Sequence, residues 1–129
     1  MFDASTRPLC RLNVGKKPTA DEFATALSDF EDELGRKSDR EICLLADATA
    51  TVRLDLVHVK TIARFGEEHH SLLAERVRAL VLVIPSAMVR GAIKVAFQLK
   101  APPHPYAVVQ TIDEATDYLA PYLREISPV

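Results

Sequence analysis

The sequence predicts an α/β domain: a small, mainly parallel sheet with helices packed against it. Three observations carry this. Strand-like apolar runs alternate with amphipathic stretches of helical period four times along the chain, the order that joins parallel strands by right-handed crossovers. One run, Val81-Leu82-Val83-Ile84, is continuously apolar with three β-branched members, so both its faces need cover, as in the middle of a parallel sheet. Residues that cap helices, among them Thr19, Asp55, Ser86 and Thr111, stand where the helical periods begin, each able to accept from a free backbone N–H.

Residues 1–7 read as a loose lead-in or a fifth, added edge strand, and the core runs from 8 to 124. Pro8–Val14 alternates, with Leu9, Arg11 and Asn13 on one side and Cys10, Leu12 and Val14 on the other. A turn at Gly15-Lys16-Lys17-Pro18 follows. Thr19 with Glu22 matches a capping box, opening a helix over 20–34 that buries Phe23, Ala26 or Leu27, Phe30 and Leu34. Gly35 is expected to end it in the left-handed conformation. The second strand is Glu41–Ala46, closed by Asp47-Ala48-Thr49. Asp55 opens one long helix whose apolar stripe takes in Leu56, Val59, Ile62, Ala63, Gly66, Leu73 and Val77, with Phe65 and Leu72 on its flank. The third strand is Val81–Ile84. Pro85 stops it and Ser86 caps the next helix, whose core face is read as Met88, Val89, Ala92, Ala96 and Leu99. The fourth strand is Tyr106–Gln110. Thr111 with Glu114 repeats the capping box, and Ala115, Tyr118, Leu119 and Leu123 give the last helix its inner face, Pro121 falling near its end.

Composition sets the boundaries of function. The 129 residues fit one domain, and 48% apolar with 26% charged residues is ordinary globular usage. A net charge of −2 with interspersed signs points to neither nucleic acid nor an anionic membrane. No apolar run approaches the ~18 residues of a membrane span, and the first residues, MFDASTRPL, lack the apolar centre of a signal peptide. The expectation is a cytoplasmic chain. Cys10 and Cys43 sit in strand-like runs without CxxC spacing and read as small buried hydrophobes.

Three stretches, in this order, resemble a known family. They are Leu44-Leu45-Ala46-Asp47; then Val89-Arg90-Gly91-Ala92 just after Ile84-Pro85-Ser86; then Pro102-Pro103-His104-Pro105 with Thr111-Ile112-Asp113-Glu114-Ala115. The chain is similar to the STAS family, the fold of bacterial anti-sigma-factor antagonists, and more closely to its bacterial STAS-like or SEC14-like branch. The resemblance spans residues 9–123 and implies a sheet order of 2-1-3-4. Antagonists in the family are switched by phosphorylation of a serine at the start of the helix after the second strand, in a D-S-S-G-like setting. Here Asp55-Leu56-Val57-His58 stand there, and neither Leu56 nor Val57 can accept a phosphoryl group.

No catalytic, metal or cofactor residue is assigned. His69 and His70 follow Glu67-Glu68, but adjacent side chains on a helix diverge by about 100° and cannot share a metal. A ligand or phosphorylation site is weighed at Lys16, Ser86, Arg90, Thr49 and Thr51. In a 2-1-3-4 sheet the switch between the first and third strands would gather Lys16, Ser86 and Arg90 around a small anion or lipid. The preferred functional surface is apolar with cations. Phe97, beside Arg90 and Lys94, together with Phe65 and Leu72, exceeds what one core face needs and has the composition of an interface. The sequence therefore predicts a binding protein and not an enzyme: a self-associating homodimer or an accessory subunit of a bacterial complex. A phosphoregulated switch and a small-ligand carrier are the alternatives.

Overall fold

A five-stranded mixed sheet organises the chain, in a computed structural model that describes residues 1–36 and 41–126. The strands are β1 (Phe2–Asp3), β2 (Leu9–Asn13), β3 (Ile42–Asp47), β4 (Val77–Val83) and β5 (Tyr106–Val109). The helices are α1 (Ala20–Leu34), α2 (Leu56–Glu68), α3 (His70–Arg76), α4 (Ala87–Leu99) and α5 (Ile112–Glu125). β1, formed by the lead-in, pairs antiparallel with β2; the other strands are parallel.

The strands lie in chain order, β1-β2-β3-β4-β5, which corrects the expected 2-1-3-4. The reason is the polarity of the strands. Ile42-Cys43-Leu44-Leu45-Ala46 is buried on both faces, whereas Arg11 and Asn13 leave one face of β2 exposed. The wholly apolar strand takes the interior position, and the alternating one lies near the margin, flanked only by the two-residue β1. β4 fulfils its expectation: Val81 to Ile84 are all buried, with β3 on one side and β5 on the other.

This order also determines the layers. Right-handed crossovers that always step the same way along a sheet put every crossover helix on one face. Accordingly α1, α2, α3 and α4 share a core with Cys10, Leu12, Leu44, Ala46, Leu80 and Leu82. The opposite core, Cys43, Leu45, Ala79, Val81 and Val83, is covered by α5. Cys10 and Cys43 thus lie on opposite faces of the sheet as free thiols, and burial pushes each up to about 11. They stay protonated near neutrality. A maleimide is expected to label neither in the native chain and both in denaturant; native-state labelling of either would contradict this placement.

Local signals hold well. The Thr19 hydroxyl accepts from Glu22 N at 3.1 Å while Thr19 N donates back to Glu22 Oε1 at 2.9 Å. Ser86 Oγ accepts from Val89 N. Thr111 Oγ1 accepts from Glu114 N, but Glu114 Oε1 accepts from the Thr111 hydroxyl and not from its N–H, so the second expected capping box is half formed. Three expectations are corrected. Gly35 is not left-handed (φ −80°). Instead the buried Arg76 caps α1 from outside, its Nη1 donating to the carbonyls of Leu34 at 2.8 Å and Arg36 at 2.9 Å. The long second helix is two, broken at His69, and Val77 belongs to β4, paired with Ile42. α5 continues through Pro121 to Glu125.

Candidate functional site

At the carboxyl ends of the strands, the residues weighed for a ligand are held apart or committed. With β3 between β2 and β4, strand order never reverses, and the expected switch-point crevice between Lys16 and Ser86 does not form. Lys16 is exposed and its carbonyl accepts from Val52 N. Ser86 caps α4. Thr51 is 2% exposed, its hydroxyl donating to Gly15 O at 2.5 Å; Gly15 itself turns at φ +84°, where a side chain would be strained. Thr49 is exposed, but its hydroxyl and its N–H both bond Asp47 Oδ1. His58 ties two loops together: its Nδ1 accepts from Asp55 N at 2.9 Å and its Nε2 meets Pro18 O at 2.9 Å. The first bond puts the ring proton on Nε2.

The five interface residues separate into two groups. Phe65 and Leu72 pack against the core under the helices, Phe65 stacking on Phe30 with ring centroids 5.7 Å apart. They form no surface patch, because α1 covers the flank that the helical wheel left open. Phe97, Arg90 and Lys94 do come together. With Gln98 of α4 and Tyr106 and Val108 of β5, they line an open groove of about 520 Å³ between α4 and the sheet edge. Phe97 is half-buried and meets the Tyr106 ring edge-on at 5.0 Å. Arg90 is oriented by two backbone carbonyls, its Nη1 donating to Ile84 O at 3.0 Å and Pro85 O at 2.9 Å. Among the described residues neither Arg90 nor Lys94 pairs with a carboxylate.

α4 is rotated relative to its expected core face. Val89, Ile93 and Ala96 are buried, while Met88 (74% exposed) and Leu99 (59%) face solvent with Val95. Leu56, placed in the core of α2, is likewise exposed. The period could not fix the rotation because apolar residues run most of the way around α4. Tyr106 and Val108 were also missed, although in the expected as in the observed order their strand lies at a margin of the sheet.

A second, partly open cavity of about 130 Å³ lies between the sheet and α1, α2 and α4, lined by Leu12, Phe30, Ala46, Ile62, Phe65 and Ile93 among others. Lys100, Pro102 and His104 also border it, and burial holds the His104 imidazole below its usual pKa. Phe97 and Ile93 line both this cavity and the groove, so they form the partition between them.

Among the described residues, no three or more His, Cys, Asp or Glu side chains gather to hold a metal ion. No helix among the described residues is long and apolar enough to cross a membrane. No family model, curated protein or solved structure matches the chain.

Proposed function

We propose that this chain is a non-enzymatic protein-interaction module of STAS-like type, an accessory subunit that captures a partner protein beside α4 and β5. The observation that supports it most is the groove itself. Two cations without carboxylate partners among the described residues flank an exposed aromatic and aliphatic lining, the combination enriched at recognition sites. The exposed Met88, Val95 and Leu99 extend the apolar surface around α4. The kinship with STAS-like proteins rests on the sequence motifs. A partner of different sequence suits the groove better than a second copy. Pairing two β5 edges about a two-fold axis normal to the sheet would put both α4 helices, with Arg90 and Lys94 of each, on one face.

Lys94→Glu combined with Leu99→Asp changes only exposed positions, so the melting temperature should stay within about 2 °C. Affinity capture from the native host should lose, with this variant, a partner that the unaltered chain retains. Equal recovery of every captured protein by both chains would refute the proposal.

The inner cavity favours a second reading, a site for a small apolar molecule. Its mainly aliphatic and aromatic walls suit a small apolar guest. Ala46→Val, adding two methyl groups at its wall, is expected to raise stability by about 1 kcal/mol and to abolish xenon uptake seen by NMR. Destabilisation with undiminished uptake would show that Ala46 does not border usable space.

A further inference from the structure

We infer that the partner docks as an extended segment, adding a sixth strand to the free edge of β5, and that the side chains of this segment facing α4 include both apolar and acidic ones. The inference rests on the docking role proposed above and specifies its form. Among the described residues β5 has a neighbour on one side only. Leu80 N donates to Pro105 O and Ile84 N to Val109 O, so Pro105 and Val109 direct their carbonyls inward. Backbone direction alternates along a strand. Tyr106 and Val108 therefore aim their N–H and C=O groups outward, at the open edge.

Natural edges are usually blunted by charge, proline or brevity. The opposite edge, β1, is two residues long. β5 reads Tyr-Ala-Val-Val, with neither charge nor proline inside it, so it is an unprotected template for another strand. On that strand alternate side chains would point to the α4 face and reach the groove. Apolar ones would meet Phe97, Tyr106 and Val108; acidic ones would meet Arg90 and Lys94, whose charges are uncompensated within the described chain. Arg90 is already oriented by Ile84 O and Pro85 O, which limits the ordering cost on binding.

The test selects eight-residue peptides from a random display library against the full chain, then follows backbone amide exchange. Enriched peptides should carry Asp or Glu and an apolar residue two or four positions apart, so that both share one face of the strand. They should slow exchange at Tyr106 and Val108 at least tenfold, and bind Lys94→Glu at least tenfold more weakly. A proline at the peptide's central inward-bonding position should abolish binding, because it removes a ladder donor. Peptides that bind with protection confined to α4 would overturn strand addition while leaving the docking role standing. Peptides enriched without acidic residues would overturn the charge assignment. No enrichment at all would overturn the inference, and the capture experiment would then decide the docking role by itself.

Discussion

Replacing Arg76 by alanine is expected to cost about 3 kcal/mol, from the removal of a buried charge that satisfies backbone carbonyls. Arg76 lies at the end of α3, and its Nη1 reaches Leu34 O and Arg36 O, at the far end of α1. A guanidinium there also complements the negative end of the helix dipole. Beside it Glu33, 5% exposed, accepts a forked pair of bonds from Arg7, at 3.0 Å from Nε and 2.8 Å from Nη2. Truncation of Arg76 leaves buried carbonyls without their donor and subtracts positive charge near a buried carboxylate. Against a total of about 5–15 kcal/mol for a domain, the loss should lower the melting temperature by about 10 °C. Arg76→Lys should recover only part of it, since an ammonium lacks the planar reach of the guanidinium. Urea unfolding measures both variants. A loss under about 1 kcal/mol for the alanine variant would mean that water replaces the guanidinium without cost.

Phe30→Ala is expected to cost about 4 kcal/mol, the middle of the range for aromatic truncation in a core. Phe30 is 4% exposed, lies between the rings of Phe2 and Phe65, and borders the inner cavity. The usual relief for a truncated core residue is collapse of its neighbours. Here a partly open cavity of about 130 Å³ already adjoins the site, and strands β2, β3 and β4 form its floor, so collapse is restricted. The enlarged space should take up xenon or benzene more strongly than the unaltered chain. A cost below about 2 kcal/mol, or unchanged uptake, would show that the helices close over the gap.

What the sequence disclosed follows from the range of the interactions. Thr19 with Glu22, Ser86, and Thr111 with Glu114 act within three residues, and the structure has their caps where the spacing places them. The uninterrupted Val81–Ile84 run likewise implied cover on both faces, as found. The end of α1 was not legible, because its cap comes from Arg76, forty residues away at Arg36. Sheet order was partly legible and misread: exposed Arg11 and Asn13 argue for a marginal β2, and that argument prevails over the order implied by family resemblance. At the candidate site, Phe97, Arg90 and Lys94 were recognisable as excess interface-type residues on one helix flank. Their completion by Tyr106 and Val108 depends on β5 being the last strand of the sheet. Phe65 and Leu72 looked the same from the wheel but are covered by a helix that the wheel cannot position.

The most direct measurement is backbone amide exchange on the full chain, free and with the partner captured from its host. Slowed exchange at Tyr106 and Val108, with added protection along the Arg90–Gln98 flank of α4, is the expected result. Protection confined to α5 or to the β1 edge, with β5 unchanged, would contradict a docking surface at α4 and β5.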